Sequence, residues 1–237
     1  MRKPDLGVMP DVLGLHGSRQ DAKSSIRYAR GIQALEKSSI ALDVVMWRCG
    51  VRLCGMIVFR DLWFGHPLNE SVQTPCLAPR DGVFHGSSVL RGQPTFSNQC
   101  AIRMGISLRR AGVRPEQITG CITCGAHDPA LMHYIRALEV ARALERANNI
   151  PGLGPVEKLV GTEPAQFYPR LFGRTGVIFI RDYWHRPTDQ RGRPTGDHID
   201  VWNGYRSSAK WLMEWFSWLG YYSNYAESRE IWFWPVK

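Results

Sequence analysis

Hydrophobic and polar positions divide this chain into a weakly patterned start and a sharply patterned remainder. Residues 1 to about 55 are mixed, with sparse apolar positions between Asp21 and Ile40 that allow one helix at most. From Met56 the pattern tightens. "VFRDLWFGHPLN" reads as a short amphipathic segment broken at Gly65 and Pro67, and a loop-rich stretch with prolines at 67, 75, 79 and 94 follows. A helix is predicted to begin near Cys100, because Ala101, Met104, Leu108 and Ala111 form one apolar stripe that Gly112 closes. A second is predicted from Asp128 as cap and Pro129 in the first turn, with Leu131, Ile135, Leu138 and Ala141 on one face, running toward Asn148.

After the turn-rich "NNIPGLGPVEK" the period changes from helical to extended. "GVIFIRDYW" (176–184) and "DHIDVWNG" (197–204) are strand-like runs joined by "HRPTDQRGRPTG", and they should pair antiparallel. "SSAKWLMEWFSWLGYYSNY" reads as an apolar helix whose Trp211, Trp215, Phe216 and Trp218 are expected in the core, the alternative being a wall or lid beside a cleft, and "EIWFWPVK" as a closing strand. Helices first and strands after them make the fold class α+β, with the helices packed on a small antiparallel sheet. Two segments are expected: an N-terminal extension over 1–55 and one domain over 56–237.

Composition adds limits. With 237 residues, 44% hydrophobic, nine Trp, eight Tyr and nine Phe, the chain can bury a real core, and wholesale disorder is excluded. The formal charge of +9 raises nucleic acid as a partner, but residues 1–60 hold ten basic against five acidic residues, so +5 lies there and +4 in the rest. The domain is only mildly basic, and no nucleic-acid partner is expected. The most apolar run, residues 40–59, contains Asp43, Arg48 and Arg52, so no membrane span is expected. Asp5, Pro10 and Asp11 interrupt any secretory apolar region, which predicts synthesis and initial retention in a cytoplasm.

Six cysteines, at 49, 54, 76, 100, 121 and 124, form no regular disulfide framework, so each thiol is judged by its place. Cys100 falls at the start of a helix, where unpaired N–H groups and a partial positive charge stabilise a thiolate. The bland reading is a small buried residue in a first turn. Gln99, beside it, could donate to a developing oxyanion, as could first-turn N–H groups. Strand alternation puts His198, Asp200 and Trp202 on one face, with Ile199 and Val201 on the other. A helix-borne Cys with a strand-borne His is a nucleophile and base arrangement. "CITCGAHD" offers Cys121, Cys124 and His127 as the start of a zinc site, which His133 could complete. No second pair follows at suitable spacing, so a Cys121–Cys124 disulfide or two packed thiols is the preferred reading, with no metal and no cofactor.

"FSNQCAIRMGISLRRAGV", "GRTGVIFIRDYW", "GDHIDVWNG" and "IWFWPVK", in that order, resemble the fourth family of type VI secretion amidase effectors, which are papain-like, NlpC-type peptidoglycan hydrolases. The resemblance covers roughly residues 57–237. It implies an NlpC-type fold, Cys100 as nucleophile, His198 as base, and cleavage of a stem peptide bond, that between D-glutamate and diaminopimelate. Where the family carries an Asp shortly after the W-N-G turn, this chain reads Tyr205, Arg206, Ser207, Ser208, Ala209 and Lys210. Asp200, on the His198 face, is therefore taken as the orienting group, with Ser207, Ser208 and Asn203 as substitutes. Arg191 and Arg193, on the loop between the two strands, together with Trp202 are candidate substrate contacts. The implied partners are peptidoglycan, the type VI apparatus and a cognate periplasmic immunity protein, and the implied destination is the periplasm of a target cell. A basic, aromatic-rich module that binds cell wall or nucleic acid without catalysis is the competing reading.

Overall fold

The computed structural model describes residues 56–186, 188–190, 193–208 and 225–237. The segment 1–55, Arg191 and the aromatic run Trp211, Trp215, Phe216 and Trp218 lie outside the described residues. Within them the helices are α1 (Phe59–Gly65), α2 (Cys100–Arg110), α3 (Ala137–Arg146) and α4 (Phe167–Leu171). A small hairpin of β1 (Gly82–Phe84) and β2 (Ser87–Val89) sits in the long loop before α2. The main sheet is built from β3 (Glu157–Val160), β4 (Gly176–Trp184), β5 (Gly196–Trp202) and β6 (Glu230–Pro235) in the order β3-β6-β4-β5, antiparallel throughout.

The apolar run that opens β4 explains why the sheet is covered on both faces. Val177 and Phe179, with Ile199, Val201, Trp232 and Trp234, pack against Met104 and Leu108 of α2 and Val140 and Leu144 of α3. The alternate residues Ile178 and Ile180, with Trp202, Ile231 and Phe233, meet Phe167 and Leu171 of α4 and Tyr225. A strand buried on both sides reads as a continuous apolar run because alternation separates one core from another, and not core from water. The short strand β3 has only Leu159 buried and follows a Gly/Pro-rich turn, so its pattern carries little signal.

α2 forms as predicted, with Gly112 at φ 96° beyond its end. The helix predicted from Asp128 does not run through. Asp128 does cap, its Oδ1 accepting from Ala130 N at 2.8 Å, but the turn it starts is a 3-10 turn over Pro129–Leu131, and Met132 is left-handed at φ 56°. Residues 133–135 are instead extended: Cys124 N donates to His133 O at 2.9 Å and Ile135 N to Ile122 O at 3.1 Å. Only from Ala137 does α3 begin. The cause lies in α2. A Cβ on Gly105 would stand 1.9 Å from Met132 O, so the backbone of the 132 bend lies directly on that helix, a contact that outweighs local helical periodicity. Gly105→Val is therefore expected to destabilise the domain by on the order of 3 kcal/mol, read as a lowered urea midpoint, because a backbone neighbour cannot yield as a side chain can.

Candidate active site

β5 is the last strand in the sheet order, and α1, α2 and α3 gather on its side of the domain. Cys100 is the first residue of α2 and is 7% exposed; His198 and Asp200 on β5 are 8% and 1% exposed. The Cys100 thiol stands next to the His198 imidazole and the backbone N–H of Ile199, and both favour its ionised form. On the far side of the ring, His198 Nε2 lies 3.2 Å from Asp200 Oδ2.

Asp200 is held from several directions. Its Oδ1 accepts from Val201 N at 2.7 Å and from Ser208 Oγ, and His66 Nε2 lies 3.4 Å from the same oxygen, outside hydrogen-bonding geometry. Burial alone would push this carboxyl up, but His66, in the acid range where it too is charged, together with His198 and Ser208 outweighs it and holds it well below the usual carboxylate range. For Cys100 burial likewise pushes upward, yet hydrogen bonding to His198, its charge, the Ile199 N–H and the nearby Arg103 guanidinium bring the thiol below its ordinary value. His198 is lowered by burial and raised more strongly by Asp200 and Cys100, to about 9. The combination favours a thiolate beside an imidazolium with a buried carboxylate behind it.

The other predicted residues divide. Gln99 is fully buried, but its amide does not face the thiol: Nε2 donates to Cys76 O at 2.9 Å and Phe96 O at 3.2 Å, while Oε1 accepts from Cys76 N at 2.8 Å. Both of its N–H groups are engaged in holding the Cys76 loop against the helix start, so the side chain is not the oxyanion donor. Trp202 is also corrected. It is completely buried, donates from Nε1 to Leu171 O at 3.0 Å and packs edge-on to Phe167 and Tyr168, in the core behind the sheet and not at a surface a ligand could touch. Arg193 is exposed on the β4–β5 connection, which turns around Asp189. Of the substitutes for Asp200, Ser208 bonds to Asp200 itself, Ser207 Oγ pairs with Tyr225 Oη at 3.1 Å, and Asn203 Oδ1 accepts from Tyr205 N and Arg206 N in the turn.

Sequence reasoning missed two neighbours. His66 is 1% exposed and burial lowers it to about 4 despite the opposing pull of Asp200, so it stands neutral behind the carboxylate. Its only sequence signal was its place between the breakers Gly65 and Pro67. Arg103, three residues after Cys100, donates from Nε to Gln73 O at 2.7 Å and adds positive potential at the helix start.

A separate cluster gathers Cys76, Cys124, His127 and His133, whose potential metal-ligating atoms all lie within 4.8 Å of one another. Cys121 is not among them. It is half-buried against the helical core, and both it and Cys124 are free thiols.

The thiol arrangement has a direct readout. Pulse alkylation with iodoacetamide, followed site by site through peptide mapping, is expected to label Cys100 with a midpoint below the ordinary thiol value of 9.0, and His198→Ala is expected to move that midpoint upward. Once the imidazole is gone, burial has less to oppose it.

A sequence model of a family described as "Type VI secretion system (T6SS), amidase effector protein 4" matches residues 96–234, more than half of the chain. The matched span contains Cys100, His198 and Asp200. No curated protein matches the chain.

Proposed function

This chain belongs to the type VI secretion system amidase effector protein 4 family, and from that premise we propose that it hydrolyses an amide bond of peptidoglycan with Cys100 as nucleophile, His198 as base and Asp200 as the group that orients it. The observation that carries the reading is the buried relay from Asp200 through His198 to Cys100 inside the matched span. A helix that presents a thiol to a His on an antiparallel sheet also agrees with a papain-like, NlpC-type fold. The catalytic domain is residues 56–237.

The Cys100 thiolate attacks the amide carbonyl carbon. The oxyanion forms at the amino-terminal end of α2, where the helix dipole favours negative charge, and Arg103 adds to that potential. His198, as imidazolium, gives its proton to the leaving amine nitrogen, and the C–N bond breaks to leave a thioester on Cys100. Water then attacks the thioester with His198 taking its proton, and the product acid departs as the thiolate is restored. Asp200 stays paired with Nε2 of His198 throughout and so fixes the tautomer and orientation of the ring. Ser208 and His66 hold Asp200 in turn and act as positioning residues.

The bond cut is that between D-glutamate and diaminopimelate, and Arg193 with Arg191 on the β4–β5 connection meets the carboxylates of the stem peptide. Type VI delivery carries the enzyme into the periplasm of a target cell. An amidase of this kind endangers its producer as well, so a cognate periplasmic immunity protein covers the Cys100 and His198 cleft.

Two outcomes are expected. Mass spectrometry of muropeptides released from sacculi should show product with the native chain and a loss of about a thousandfold or more with Cys100→Ala or His198→Ala, both variants keeping native circular dichroism. Wild-type release rates from either folded variant would overturn the assignment. The second concerns pH. The alkaline limb of kcat/KM should fall near pH 9, where His198 loses its proton. Because the Asp200 charge helps to hold that proton, Asp200→Asn should shift the limb to lower pH as well as reduce the rate.

A further inference from the structure

Outside the active site, Cys76, Cys124, His127 and His133 form the one group of three or more candidate metal-ligating side chains among the described residues. We propose that these four residues are a structural zinc site, closed by the protein alone, that ties the loop before α2 to the segment after it. The inference does not depend on the amidase reading.

Geometry carries it. A tetrahedral zinc with bonds of about 2.3 Å to sulfur and about 2.0–2.1 Å to nitrogen sets its ligands roughly 3.3–3.8 Å apart. His127 Nδ1 lies 3.5 Å from Cys76 Sγ and 3.4 Å from Cys124 Sγ, and His133 Nδ1 lies 3.9 Å from Cys124 Sγ. Two of these three separations fall on the edges of such a tetrahedron and the third is 0.1 Å longer than the range, while all four ligand atoms lie within 4.8 Å of one another, so small side-chain adjustments would close them on a metal. Cys76, Cys124 and His133 are buried and His127 is half-buried, so the four close on one another and leave no ligand place facing water. A site complete in protein ligands holds structure, whereas a catalytic zinc keeps a position open.

The surrounding chain is arranged for the same end. Cys124 and His127 are separated by Gly125 and Ala126, and Gly125 at φ 66° gives the tight turn that points both ligands inward. The Ala126 N–H faces the Cys124 sulfur, and Thr95 Oγ1 donates to Cys76 Sγ at 2.9 Å. Hydrogen bonds from N–H and O–H groups to the sulfurs stabilise thiolates, the form in which cysteine binds zinc. The left-handed Met132 brings His133 back toward Cys124, whose N–H its carbonyl accepts. Ile102, Ile106, Phe96 and Ile135 pack around the thiols, giving an apolar shell. Without a metal, two thiols and two imidazoles share a small volume with few other partners. On binding, the thiols release their protons and Zn²⁺ takes four ligand bonds with no change of oxidation state.

The sequence alone hid the site because its fourth ligand, Cys76, lies far upstream of the "CGAH" turn. Cys121, the nearer cysteine, is directed elsewhere. Two hydrogen bonds between the Cys76 backbone and the Gln99 side chain tie this ligand to the residue before the nucleophile, so the ion would fix a loop that borders the active site.

The full-length chain, expressed with zinc in the medium and passed over a desalting column, should carry about one zinc by elemental analysis, with native mass spectrometry giving the matching mass increase. Replacement by Co²⁺ should produce intense tetrahedral d–d absorption and thiolate-to-cobalt charge transfer. Cys124→Ser and His133→Ala should each lower zinc retention against a competing chelator roughly tenfold or more, Thr95→Val should lower it measurably, and Cys121→Ser should leave it unchanged. Where a ligand variant does not fold, the cobalt spectrum of the wild-type chain decides. A protein that stays below one-tenth of an equivalent of zinc, gives an octahedral cobalt spectrum, or has a mass lower by two hydrogens from a Cys76–Cys124 disulfide would overturn the site. None of these readouts measures hydrolysis.

Discussion

The buried carboxylate of Asp200 is the constraint around which the active-site side of the molecule is organised. A charge that is 1% exposed persists only where donors surround it, and here a strand N–H, a serine hydroxyl and the His198 imidazole come from β5 and the turn after it, with His66 from α1's exit close by. Removing any one of them leaves the others to bear the desolvation. Because His198 stands between this carboxylate and the Cys100 sulfur, the same arrangement that makes the charge tolerable also fixes the ring and its tautomer. Stability and chemistry meet at one oxygen pair. Even the neutral state of His66 follows from burial winning over the attraction of the carboxylate.

A second constraint is close approach. Gly105 lets the backbone at Met132 lie on α2, Gly196 accepts the Trp184 indole where a Cβ would stand 2.4 Å from it, and β4 breaks register between Ile180 and Trp184 with Asp182 left-handed at φ 51°. The irregularity falls immediately after the Ile180–His198 pair. Bulges re-aim the side chains beside them. The regular half of β4 builds the two cores, and the irregular half borders the site.

Much of this was legible in residue order. The stripe from Ala101 to Ala111, the β4 and β5 runs and the closing strand all follow from periodicity, whereas position at a helix start and on a strand left the roles of Cys100 and His198 open and the family resemblance suggested their pairing. What failed did so for tertiary reasons. The Asp128 cap was correct, yet the helix behind it yielded to a backbone contact with α2. Alternation along β5 correctly grouped His198, Asp200 and Trp202, but the sheet has apolar cover on both faces, so that shared face is core at Trp202 and candidate site at His198. Gln99 sat in the expected position with its amide turned to the Cys76 loop. His66 and Cys76 carried no periodic signal because long-range folding alone brings them to their partners.

The placement of β6 bears on how the protein comes into being. It is the last strand along the chain, yet it lies between β3 and β4 and supplies Trp232 and Trp234 to one core and Ile231 and Phe233 to the other. During synthesis the β4–β5 hairpin can form early, whereas β3, whose one strand partner among the described residues is β6, waits for residues 230–235 to leave the ribosome. Neither core can close before then, and these pairings span much of the chain, which makes them late and slow. The nascent polypeptide thus keeps an open sheet until β6 docks, and the Cys100 helix gains its full support only then.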